Sequence, residues 1–121
     1  MMNVIVCDDE ADIRLLYRTA FEATGNRVAL ARNGLECLEL LDDFVPELVV
    51  LDLMMPQLDG FSTLERIVVR APDVHVVVVT AYASPDNRTR AETLGAEECF
   101  SKLEFLGQIP SLVGAYGPAN N

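Results

Sequence analysis

Three carboxylates, a hydroxyl and an ammonium stand at the ends of short apolar runs in this chain. Asp8 and Asp9 follow Val4–Cys7, Asp52 follows Leu48–Leu51, Thr80 follows Val74–Val79, and Lys102 follows Cys99–Ser101. Unbroken apolar runs of this length read as strands buried on both faces. In an open parallel sheet, ligands bind in the crevice beyond the carboxyl ends of the strands, so one rim gathers all five groups. Carboxylates crowded there repel one another, and a divalent cation relieves them. Mg2+ suits such a set because it takes a few carboxylates, keeps waters and bridges to phosphate oxygens. A cation, a hydroxyl donor and a lysine around Asp52 would stabilise a phosphoryl group arriving on that carboxylate.

The segments between these strands carry the helical period. Asp12–Thr24 puts Ile13, Leu16, Tyr17, Ala20 and Phe21 on one face, and Gly25 stops it. Arg27–Ala31 is a short strand, and Gly34–Asp43 is a helix with Leu35, Leu38 and Leu41 inward. Asp59–Arg70 is a third helix with Asp59 as its cap; Phe61, Leu64, Ile67 and Val68 face the sheet, and it ends before Pro72. Ser84 caps a fourth helix that opens on Pro85 and runs to Leu94, with Ala91 and Leu94 as its clear anchors. Weak burial makes it the labile element. Gly107, Pro110 and Gly114 crowd the last segment, which predicts a short final helix, Pro110–Tyr116, and a less covered edge beside the fourth helix. Strands alternating with helices specify a parallel α/β sheet with right-handed crossovers.

Composition narrows the function classes. At 121 residues the chain is expected to be one domain, residues 1–116, with Gly117–Asn121 as a flexible tail or the start of a linker. Its net charge of −10 argues against direct nucleic-acid binding, which needs basic surface. No apolar stretch approaches the roughly 20 residues of a membrane span, and no secretory signal opens the chain. Cys7, Cys37 and Cys99 lack metal-ligand spacing and read as reduced thiols, which suits a cytoplasmic protein. Taken singly, Lys102 would be a solvated surface lysine, Thr80 a plain strand end, Glu10 a solvated loop acid and His75 a packing residue. Only their company gives the first two weight.

The segments VCDDE (Val6–Glu10), LDLMMPQLDG (Leu51–Gly60), VVTAYA (Val78–Ala83) and LGAEECFSK (Leu94–Lys102) carry a resemblance. In that order, at strand ends, they are similar to the receiver domain of two-component response regulators, over about Asn3–Phe105. The resemblance implies a flavodoxin-like (βα)5 doubly wound sandwich with strand order 2-1-3-4-5. It makes Asp52 the phosphoacceptor, attacking a phosphohistidine on a histidine kinase or histidine phosphotransfer protein. Asp9 would bind Mg2+ directly, Asp8 mostly through water, and Asp52 and the Met54 backbone carbonyl would be further ligands. Thr80 and Lys102 would bond phosphoryl oxygens, while Ala81 keeps the neighbouring space open. Phosphorylation would then remodel the surface of the fourth helix, fifth strand and final helix to control a downstream protein or a C-terminal output domain. The expected state is a monomer or a phosphorylation-dependent dimer, with self-phosphorylation and autodephosphorylation as the only chemistry.

Three positions depart from the family pattern. Leu103 stands where the family has a proline joined through a cis peptide. A cis bond before a non-proline residue costs about 3–4 kcal/mol, so the bond is expected trans and the reach of Lys102 altered. Cys99 stands where an aromatic side chain swings toward the threonine, which leaves Tyr82 as a candidate mobile ring. Met54 and Tyr82 flank the expected path of an attacking water and orient it poorly, which predicts slow self-dephosphorylation. These departures keep a second reading open, a phosphorylation-independent interaction domain on the same fold. An aspartate-nucleophile phosphatase fits worse, because its Asp-x-Asp pair on the first strand is missing.

Overall fold

The computed structural model describes residues 1–55 and 58–117. The chain alternates β1 (Asn3–Cys7), α1 (Ala11–Ala23), β2 (Arg27–Ala31), α2 (Gly34–Phe44), β3 (Leu48–Asp52), α3 (Gly60–Arg70), β4 (His75–Thr80), α4 (Pro85–Thr93), β5 (Glu98–Ser101) and α5 (Lys102–Tyr116). All strand pairs are parallel, and the sheet runs β2-β1-β3-β4-β5, the order that the resemblance implies.

Strand alternation splits the core into two layers. Val4, Val6, Leu48, Val50, Val77, Val79 and Phe100 face α1 and α5, where they meet Tyr17, Phe21, Phe105, Ile109 and Leu112. Ile5, Cys7, Val49, Leu51, Val76, Val78 and Cys99 face the other way, onto Cys37, Leu38, Leu41, Leu64, Ile67 and Ala91 of α2, α3 and α4. Both faces are therefore covered, which is why the strands read as continuous apolar runs. All three cysteines are buried free thiols. No helix among the described residues is long and apolar enough to cross a membrane.

Local chemistry sets the helix ends. Asp59 Oδ1 accepts from the Ser62 N–H at 2.9 Å, and Ser84 Oγ accepts from the Asn87 N–H at 3.1 Å. The segment after Asp52 closes on Gly60, whose N–H donates to the Leu53 carbonyl at 3.1 Å. A Cβ at Gly60 would lie 2.3 Å from Leu53 Cα and 2.6 Å from the Asp52 carbonyl oxygen. Only glycine lets α3 start this close to the end of β3.

Two expectations need correction here. The final helix is not the short Pro110–Tyr116 segment but the 15-residue α5, Lys102–Tyr116, with Pro110 inside it. A capping box between Ser101 and Glu104 starts it, and Phe105, Ile109 and Leu112 hold its buried stripe. Pro110 lies on the exposed side of α5, so the carbonyl left without an N–H partner has access to water. Leu16 and Leu35, expected inward, are each 46% exposed. Tyr17 and Phe21 fill the space under α1, and Cys37 takes the inward position on α2. The proposed tail beyond Gly117 lies outside the described residues, as do Pro56 and Gln57.

Candidate functional site

Asp8 follows β1 directly and Asp52 ends β3. Both continue the alternation of Val4, Val6, Leu48 and Val50, so their carboxylates project on the α1/α5 side of the sheet. Lys102 is the first residue of α5 on that same side. Its Nζ lies 3.1 Å from Asp8 Oδ2, 3.3 Å from Asp52 Oδ2 and 3.0 Å from Glu10 Oε1. Among the described residues no peptide bond is cis. Leu103 is in the expected trans linkage, and Lys102 lies within ion-pair distance of the Asp52 carboxylate. The helix start at Lys102 aims the side chain back over the rim, and the 99% exposed Leu103 side chain points away.

Asp8 and Asp52 are each 2% exposed. Burial pushes the Asp52 carboxyl up to about 6; the Asp8 charge adds to this, while the Met54 N–H and Lys102 oppose it. Burial likewise raises Asp8. Burial alone would lower Lys102, but the Glu10 hydrogen bond and the Asp52 and Asp8 charges win, and its pKa is raised. Each buried carboxylate is also held by the backbone: Asp8 Oδ1 accepts from the Glu10 N–H at 2.9 Å, and Asp52 Oδ1 from the Met54 N–H at 3.0 Å. Arg14 Nη1 donates to the Asp8 carbonyl at 2.8 Å, fixing the turn that presents the acids. Tyr17 lies in the same layer with its hydroxyl buried and unpartnered among the described residues, and burial raises it to about 12.

Carboxylate oxygens of Asp8, Asp9 and Glu10 all lie within 4.8 Å of one another. This hard-oxygen set suits Mg2+. The Lys102 ammonium sits among the carboxylates of Asp8, Glu10 and Asp52, one positive charge against three negative ones. The residues therefore fit a divalent ion. Sequence reasoning set Glu10 aside as a solvated acid; the structure brings it to Lys102, although Glu10 itself stays 61% exposed. Its place next to the acidic pair was the available signal.

The other candidates fall where their strands put them. Thr80 is fully buried one residue beyond Val79, the register partner of Asp52. Its hydroxyl accepts from the Tyr82 N–H at 3.2 Å. Ala81 is exposed, and Tyr82 and Met54 are 73% and 67% exposed. Cys99 is buried under α4, and its thiol is raised by burial against the opposing charge of Arg88.

Comparison with known proteins identifies the family. The response regulator receiver domain family matches residues 4–113. Sporulation initiation phosphotransferase F of Bacillus subtilis is 33% identical over 120 residues, covering 98% of this chain and 97% of that protein. Transcriptional regulatory protein ZraR of Klebsiella oxytoca is 36% identical over 105 residues, but those span 86% of this chain and only 24% of the regulator. Among solved structures, the Francisella response regulator 1452 receiver domain aligns with a TM-score of 0.83 at 27% identity, covering 95% of this chain and 98% of its own. The receiver domain of NtrX from Brucella abortus aligns at 0.86 with 25% identity, covering 93% and 96%. The chain belongs to the receiver domains of two-component response regulators.

Proposed function

We propose that this receiver domain is a phosphoacceptor that takes a phosphoryl group from a phosphohistidine onto Asp52. The observation that carries the reading is the convergence of Lys102 Nζ on Asp8, Glu10 and Asp52 at 3.0–3.3 Å around a carboxylate that is 2% exposed. A carboxylate held above its usual range is a poor resident anion, and conversion to an acyl phosphate moves its charge outward toward Lys102. An Asp52 carboxylate oxygen attacks phosphorus, the P–N bond breaks, and the donor imidazole leaves with the electron pair and takes up a proton. Lys102 then pairs with a phosphoryl oxygen, and the Thr80 hydroxyl donates to another. Asp8, Asp9, Asp52 and the Met54 carbonyl are the groups that would hold Mg2+, whose charge would offset that of the phosphoryl oxygens.

The partners that follow are a histidine kinase or histidine phosphotransfer protein upstream, and a protein target or output domain downstream. The name of the Bacillus relative, a phosphotransferase covered almost end to end, supports a phosphorelay role. The regulators matched over a fraction of their length support the output-domain alternative. Phosphoryl transfer from a purified phosphohistidine protein tests the reading: the label moves to the wild type in Mg2+ and not to Asp52→Asn. Retention of the label on the donor, with the receiver folded, would favour the phosphorylation-independent interaction domain, which the fully exposed Leu103 and the missing switch aromatic at Cys99 support.

A further inference from the structure

A single guanidinium ties together the three elements that meet beside Cys99. Arg88, in the second turn of α4, donates from Nε to the Ala83 carbonyl at 3.1 Å and from Nη1 to the Cys99 carbonyl, and its Nη2 lies 3.6 Å from Glu104 Oε1. Ala83 belongs to the segment between β4 and α4, Cys99 to β5, and Glu104 to the first turn of α5. Glu104 is also the capping-box partner of Ser101, so the same carboxylate that meets Arg88 fixes the start of α5 at Lys102. The Ala83 segment is anchored in turn to the site: the Tyr82 N–H donates to Thr80 Oγ1 at 3.2 Å, and the Tyr82 carbonyl accepts from Asn87 Nδ2 at 2.9 Å.

We propose that Arg88 is the positioning residue that couples Asp52 to the α4–α5 face of this protein, in place of a mobile aromatic ring. The inference rests on the phosphoacceptor reading of Asp52. Both ends of the Arg88 tie are attached to groups that must move. Thr80 Oγ1 moves off the Tyr82 N–H when the side chain rotates about χ1 to carry its O–H to a phosphoryl oxygen, which loosens the Tyr82–Ala83 backbone. Lys102 leaves Glu10 and Asp8 for the same phosphoryl group, which shifts the first turn of α5 carrying Glu104. The guanidinium cannot keep its two carbonyl acceptors and its Glu104 ion pair on three elements when two of them move, so the clamp opens. Tyr82 is 73% exposed and donates only its backbone to this chain of contacts, so its ring is not the coupling group. Arginine is required because five donors in a rigid fork serve several acceptors at once, which the point charge of lysine does not.

Hydrogen exchange of backbone amides tests this, with Arg88→Met (which keeps the aliphatic stem) and Arg88→Lys beside the wild type, each unmodified and after treatment with acetyl phosphate and Mg2+. Arg88→Met takes up phosphate on Asp52 as the wild type does. Unmodified, both variants exchange about tenfold faster than wild type across residues 82–84 and 98–104, the scale of one lost charge-assisted hydrogen bond, with the rest of the sheet unchanged. Phosphorylation accelerates the same segments in the wild type and adds nothing in the variants. Equal exchange in unmodified wild type and Arg88→Met overturns the clamp. A phosphorylation response that persists in Arg88→Met, or that Arg88→Lys retains in full, overturns the coupling role. A wild type that takes up no phosphoryl group refutes the phosphoacceptor reading and the coupling with it, while the unmodified comparison still decides the clamp.

Discussion

Asp52→Asn should make the metal-free protein more stable at neutral pH, although it removes a contact with Lys102. Burial and the neighbouring Asp8 hold the Asp52 carboxyl at about 6, against an ordinary 3.8, and they do so despite Lys102. A carboxyl whose folded pKa is raised binds its proton more tightly in the folded state, so stability is fully present below pH 4 and falls as pH rises through 6. A difference of this size, at about 1.36 kcal/mol per unit, corresponds to about 3 kcal/mol lost at pH 7. An asparagine amide keeps the volume and still accepts from the Met54 N–H, but it must find partners for its own donors. The expected gain is therefore about 2 kcal/mol, or roughly 8 °C in Tm for a chain of this size. Thermal melts in EDTA at pH 7.5 and at pH 4 measure it, and the gap should close at the lower pH as the wild type protonates. Added Mg2+ should stabilise the wild type more than the variant. A variant less stable than wild type at pH 7.5, or a gap independent of pH, would refute the account of Asp52 as a strained anion.

Other outcomes follow from the same geometry. Pro110→Ala should raise stability by about 1–3 kcal/mol in urea melts, since proline costs about 3 kcal/mol in a helix interior and this one is exposed. Gly60→Ala should lower stability by at least about 1–3 kcal/mol, because its methyl meets the backbone of Asp52 and Leu53 rather than a flexible side chain. Replacing Met54 and Tyr82 together with small polar residues should shorten the lifetime of the phosphorylated form several-fold; an unchanged decay rate would count against a role for these side chains in excluding or misorienting water.

The rim of the sheet was legible because buried parallel strands announce themselves as apolar runs, and whatever polar residue ends each run must stand at the same edge. Asp8, Asp52, Thr80 and Lys102 could thus be placed from sequence without knowing any contact. The Asp59–Gly60 turn was legible for its cap, while the 2.3 Å clearance that excludes a side chain at Gly60 could not be read from residue types. The length of α5 is not legible from Gly107, Pro110 and Gly114, because the Ser101–Glu104 box and the buried Phe105, Ile109, Leu112 stripe outweigh them. Leu16 and Leu35 show the converse: helical period defines a face wider than the stripe the sheet can cover. The contacts of Glu10 and Arg88 depend on side chains reaching across elements, which local pattern does not encode.

The most direct test of the central claim is intact mass after incubation with acetyl phosphate and Mg2+, run on the wild type, on Asp52→Asn and on the wild type in EDTA. The account predicts a gain of one phosphoryl group in the first alone. A gain of equal size in Asp52→Asn would place the chemistry elsewhere and contradict it.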